Sequence, residues 1–140
     1  MARIVLTDAS VVINGINLSE FITSVALSTS EDVVDTTGMA AGGARTRVAG
    51  LADNSVTLEF NQDFATSAPE VTINAVGSSL VGTNVTCVVK PTSAAVGVAN
   101  PSYTFSAVVA EWQPLSGAVG ELATISTTWP ISGNITKAVA

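Results

Sequence analysis

Asn54-Ser55-Val56-Thr57-Leu58-Glu59-Phe60-Asn61 decides how the rest of the chain is read. Val56, Leu58 and Phe60 fall on one side of an extended backbone, and Ser55, Thr57, Glu59 and Asn61 on the other. That two-residue period belongs to a strand with one face in a core and one in water. Working back, Ser24 to Thr29 sets Val25, Leu27 and Thr29 against Ser24, Ala26 and Ser28 in the same way. Val11-Val12-Ile13 and Ile16-Asn17-Leu18 flank Asn14-Gly15, a pair that tolerates positive φ at both turn positions and so predicts a tight hairpin. Working forward, Val85 to Lys90 reads as a strand stopped by Pro91, and Pro91 to Pro101 as a loop. Tyr103 to Trp112 and Leu122 to Trp129 read as long strands joined across Pro114 to Gly120. In the second of these Ala123, Ile125, Thr127 and Trp129 share a face, and Pro130 is expected to end it. One segment breaks the pattern. Ser67-Ala68-Pro69-Glu70 fits a capping box with proline in the first turn, and Ile73, Val76 and Leu80 follow at helical spacing, which favours one short helix over residues 68–81; Val71, Thr72, Ile73 and Gly77 are poor helix formers and leave a strand as the alternative.

Composition agrees with a mainly β chain. Val occurs 20 times and Thr 17 times against 8 Leu, and β-branched side chains suit a pleated surface. The expected architecture is a β-sandwich or rolled barrel with one short helix and a long extended loop, built from a single domain over residues 1–140. Only 11% of the residues are charged, and the formal net charge is −6. An average soluble domain carries about 25% charged residues. High hydrophobicity with few charges excludes an intrinsically disordered chain. An acidic balance argues against nucleic-acid binding, which needs a basic stripe. So few charges beside 32 Ser and Thr suggests a surface that other copies cover. No apolar run approaches a membrane span or the core of a signal peptide, so synthesis in a cytoplasm is expected.

The motifs that could carry chemistry are weak. There is no histidine and one cysteine, Cys87, so imidazole catalysis, a His-ligated metal and an internal disulfide are all excluded. Cys87 sits in an apolar strand and reads as a buried, inert thiol. Gly38 to Gly43 lacks the Gly-Lys-Ser/Thr and the strand-turn-helix frame of a phosphate loop. Glu59 with Asp63, or Glu111 with Glu121, could be paired carboxylates, yet charged residues on a strand's polar face are ordinarily just solvated. Asp32 and Asp35 lack the spacing of a calcium loop. Three Asn-X-Ser/Thr triplets, at Asn17, Asn84 and Asn134, are expected by chance in so hydroxyl-rich a chain. Trp112 and Trp129 fit either a core or an interface. No enzyme activity and no cofactor are expected.

Residues 31–50 differ from everything around them. An acidic cluster, Glu31, Asp32 and Asp35, leads into Gly38-Met39-Ala40-Ala41-Gly42-Gly43-Ala44 and then Arg45 and Arg47. Loops this long are uncommon in compact domains unless functional, so the segment reads as an arm or hairpin extension leaving the body. Its arginines are expected to form salt bridges between subunits.

Read in order, several stretches resemble major tail tube proteins of phages with long, non-contractile tails. They are Asn14-Gly15-Ile16-Asn17-Leu18-Ser19, the acidic segment Glu31 to Met39, Asp53 to Phe64, Lys90-Pro91-Thr92-Ser93, Asn100-Pro101-Ser102-Tyr103, and Trp129-Pro130-Ile131-Ser132-Gly133. The individual motifs are loose, and their order over nearly the whole chain carries the resemblance. It implies a virion component: hexameric rings stacked helically into a tube, with strands of all subunits completing an inner barrel. It also implies a loop reaching the adjacent ring, here Asp35 to Gly50. The ring-stacking candidates are thus Asp35, Thr36, Thr37, Gly38, Met39, Gly42, Gly43, Arg45 and Arg47. Tail terminator, tape measure and distal tail proteins would be its partners, and DNA would pass through without specific binding. A negative lumen is implied. Strand phase makes Glu59 the first candidate to line it, followed by Asp63 and Glu111. The alternative is a carbohydrate- or surface-binding β-sandwich, or a virion decoration module.

Overall fold

Asn14 and Gly15 adopt φ of 52° and 80°, the double positive φ that a two-residue hairpin turn needs. They join β1 (Ser10–Ile13) to β2 (Ile16–Asn17). A computed structural model of the chain describes residue 5 and residues 8–39, 42–64, 68–77 and 79–139. The remaining strands are β3 (Ile22–Asp35), β4 (Arg47–Asn61), β5 (Asn84–Lys90), β6 (Ser102–Val108) and β7 (Thr124–Ala138). All seven form one sheet in the order β2-β1-β5-β6-β7-β4-β3, with every neighbouring pair antiparallel. Where a β-sandwich or rolled barrel was expected, the strands form a single open sheet whose borders are β2 and β3.

Alternation fixes which face is inside. Asn54, Val56, Leu58 and Phe60 of β4 are buried, as are Val85, Cys87 and Val89 of β5 and Ile125, Thr127, Trp129 and Ile131 of β7. These join Val11, Ile13, Phe105 and Ala107 in one core, against which Ile22, Val25 and Leu27 of β3 pack. The sheet therefore curls so that its two halves share their inner faces. Trp129 is fully buried, and Trp112 meets Phe60 edge-to-face at 5.4 Å between ring centroids. Trp129 thus belongs to the core. Cys87 is 1% exposed, and burial pushes its thiol up to about 12.

Three expected elements differ. The helix is confined to α1 (Pro69–Ile73) instead of continuing to Val81. Thr72 and Ile73 are β-branched, and Gly77 at φ 78° cannot continue a right-handed helix. Val76, expected on its apolar face, is fully exposed; Ser67 of the expected capping box lies outside the described residues. β6 stops at Val108 instead of Trp112, because the chain turns away to lie along β7. There the Glu111 carbonyl accepts the Trp129 indole N–H at 3.0 Å. β7 runs through Pro130. Its first half, Thr124 to Ile131, pairs with β4, and its second half, from Ile131 to Ala138, with β6. Pro130 precedes that handover by one residue, where β6 offers no ladder partner for the missing N–H.

Candidate assembly surfaces

β3 and β4 continue as a two-stranded ribbon past the point where β7 leaves β4. The last β4–β7 pair is Asn54 with Ile131, whereas β3 and β4 remain paired to Asp35 and Arg47. Asn54 sits at this fork and is 4% exposed. Its amide donates to the Gly133 carbonyl of β7 at 2.9 Å and accepts the Thr29 hydroxyl of β3. One side chain thereby ties three strands together at the base of the ribbon. Beyond it a bulge intervenes between Glu31 and Val33. Gly50 faces this bulge closely: a Cβ would lie 3.2 Å from Asp32 Cβ and 3.3 Å from Val34 Cγ2.

The arm expected over residues 31–50 is thus a hairpin extension. Its tip is built by hydroxyls. Thr36 N–H donates to the Thr46 carbonyl at 2.9 Å, and Thr46 N–H to Thr37 Oγ1 at 2.9 Å. Thr37 N–H donates to Asp35 Oδ1 at 2.8 Å, and Arg45 forms an ion pair with Asp35 at 3.2 Å. Thr37, through its hydroxyl and N–H, and the Arg45 guanidinium hold the Asp35 carboxyl below its ordinary value. Arg45 is therefore paired within its own chain. Arg47 is exposed opposite Asp35 in the ladder. Gly42 and Gly43 turn the chain at φ 68° and 88°; Gly38 and Met39 are also exposed there. Val33, Val34, Met39, Val48 and Leu51 stand out as large exposed apolar side chains on the ribbon and its tip.

The two borders of the sheet are treated differently. β2 has two residues, and beside it the Ser19 hydroxyl accepts the Val11 N–H at 2.8 Å, closing the edge of β1. β3 presents a 14-residue border that is bulged between Ile22 and Ser24 and between Glu31 and Val33 and charged only at Glu31, Asp32 and Asp35, so residues 24–30 carry none of the charges, prolines or bulges that blunt an edge.

The outer face of β3, β4 and β7 is a third surface. Ser24 pairs with Glu59, Ala26 with Thr57, Ser28 with Ser55 and Ser30 with Asp53. On the β7 side Glu59 meets Ser126, and Thr57 meets Thr128. The Thr57 and Thr128 hydroxyls lie 3.1 Å apart. Residues 24–30, 53–61 and 124–130 contain no Lys or Arg, so the charges of this face are the carboxylates of Glu59 and Asp53. The three acidic candidates separate. Glu59 is exposed on this face. Asp63 lies past the end of β4, half-buried, its N–H donating to Gln62 Oε1. Glu111 lies beside β7, its carboxylate accepting the Thr128 N–H at 3.1 Å and the Thr127 hydroxyl at 3.4 Å. The sequence reading missed Asn54 and the strand-tying role of Glu111. A lone Asn in the buried phase of an otherwise apolar alternation was the available signal for the first; nothing local signalled the second.

Among the described residues no group of His, Cys, Asp and Glu could hold a metal ion, and no helix is long and apolar enough to cross a membrane. The fold is shared with a solved chain of the anti-feeding prophage baseplate, determined by cryo-electron microscopy with six-fold symmetry imposed. That chain is 14% identical, with a TM-score of 0.58 over 98% of this chain and 97% of the other. No family model and no curated protein matches the sequence.

Proposed function

We propose that the chain is a structural subunit of a phage-tail-like particle, polymerising as stacked hexameric rings into a tube through which DNA passes. The observation that carries this reading is the border of β3 over residues 24–30, free of charges and bulges, beside a hydroxyl-lined face whose charges are carboxylates. A border of this kind invites pairing with another copy. Pairing around a ring would close the sheet and turn that face toward a common channel. Carboxylates there repel phosphate over a Debye length of about 8 Å at physiological salt, whereas a basic wall would hold DNA through its backbone. With −6 per subunit, repetition around rings multiplies the field. The exposed apolar ribbon supplies the contact along the tube axis. The shared fold with a baseplate chain of a tail-like particle supports the same class of assembly. The role is structural, not catalytic.

The alternative, a sugar- or surface-binding module, needs a displayed aromatic cluster. Phe60, Phe105 and Trp129 are instead in the core. Negative-stain imaging with sedimentation of the purified protein separates the two. The proposal expects rings or filaments of uniform width with a central channel. Discrete monomers at every concentration would refute it.

A further inference from the structure

The ribbon is one end of a surface pair, and the structure also holds its counterpart. We infer that residues 113–123, together with Phe64, form the receptor on which the arm of a second copy docks. This rests on the stacking proposed above and names the partner surface.

The two regions lie at opposite ends of β4, which runs about 45 Å from Arg47 to Asn61 at a strand's rise per residue. At the Asn61 end, the Gln62 N–H donates to the Ala123 carbonyl at 2.9 Å, and its amide to the Pro114 carbonyl at 2.6 Å. The connection between β6 and β7 is thereby fastened to the far end of the sheet. It is shaped as well as fastened. Glu121 N–H donates to Ala118 O at 3.1 Å, closing a four-residue turn with Gly120 at φ 88°, and a Cβ at Gly117 would lie 3.3 Å from Ala123 Cα. On this held loop Val119 is fully exposed, Leu115 is 79% exposed, Leu122 67% and nearby Phe64 61%. A fixed loop that offers large apolar groups to water is the mark of a docking surface.

Charge selects the occupant. The arm tip, residues 35–47, holds Asp35, Arg45 and Arg47, a net +1. Arg45 is already paired with Asp35, which leaves Arg47 as the cation presented to a partner. Residues 113–123 hold Glu121 and no cation, a net −1. Tip against tip, or loop against loop, sets like charges together. Tip against loop sets opposite charges together and joins the two apolar sets. Donor and receptor are different surfaces of one chain, so the contact is heterologous and propagates as an open stack.

Cross-linking tests the assignment. Met39→Cys and Val119→Cys are introduced together, with Cys87 left in the core, and assembled protein is mildly oxidised. A ladder of covalent multimers is expected on a non-reducing gel. A mixture of the two single variants should stop at dimers, and neither alone should cross-link. Tubes that form without a ladder, or that cross-link through Met39→Cys alone, would overturn the receptor assignment and leave the tube proposal standing. Absence of any assembly by the native protein would overturn both. Should the cysteine variant fail to fold, charge exchange decides. Arg47→Glu or Glu121→Arg alone should raise the concentration needed for assembly at least about 10-fold, and the pair should restore it. No restoration refutes the contact.

Discussion

Asn54→Ala would remove the one side chain that joins β3, β4 and β7 at the root of the arm. Its amide N–H to the Gly133 carbonyl would be lost, as would its acceptance of the Thr29 hydroxyl. The Thr29 hydroxyl can turn to another acceptor. Gly133 is exposed, so its carbonyl can turn to water. Each lost hydrogen bond therefore costs about 0.5–1.5 kcal/mol net, and the truncated volume at a 4% exposed position adds a smaller packing loss. A total of about 2–3 kcal/mol is expected, a sizeable share of the roughly 5–15 kcal/mol that holds a domain together. For a chain of this size that lowers the melting temperature by about 5–10 °C. Chemical denaturation followed by intrinsic tryptophan fluorescence reads the change directly, since Trp129 lies on the strand paired with β4. Ser55→Ala, on the outer face one residue away, is the control and should fall within about 0.5 kcal/mol of the native protein. Equal stability of Asn54→Ala and the control would refute the claim that this amide fastens the fork.

Three other outcomes are expected. Glu59→Lys changes the formal charge per subunit from −6 to −4; tubes should still form, but DNA delivery timed on single particles should slow, and unchanged kinetics would remove Glu59 from the channel wall. Deleting residues 39–44 should leave a folded, soluble chain that no longer polymerises, as sedimentation would read, because the tip is lost while the body's ladders stay. Cys87 should resist thiol reagents at pH 8 in the folded protein and react once unfolded. Because its folded value is raised from 9.0 to about 12, its contribution to stability is complete below pH 9 and is lost as the pH climbs toward 12, where only the unfolded chain readily gives up the proton.

Strands were legible where side chains alternate between core and water, as in Asn54 to Asn61 and Val85 to Lys90, because the two-residue period is a local property. The Asn14-Gly15 turn was legible for the same reason. The helix was over-read: spacing at Ile73, Val76 and Leu80 satisfied a periodic template, but β-branched residues and Gly77 set the local backbone preference, and Val76 found no core to enter. Pro130 misled because a proline's tolerance depends on which neighbour lies on its N–H side, and that is decided by the handover from β4 to β6 pairing. The arm was visible as an anomaly in composition, while its ribbon form depends on cross-strand pairing that a Gly- and Ala-rich segment does not announce. Of the acidic candidates, strand phase placed Glu59 on the open face. Asp63 and Glu111 lie outside β4, so phase said nothing of their surroundings.

In the proposed tube, copies of this chain close their open sheets around a channel whose wall is the outer face of β3, β4 and β7. A cryo-electron microscopy map of the assembled protein at side-chain detail would show whether they do. A continuous inner sheet joined at the β3 border is expected, with Glu59, Thr57 and Thr128 pointing into the lumen. A map in which that border stays unpaired, or in which lysines and arginines line the channel, would contradict it.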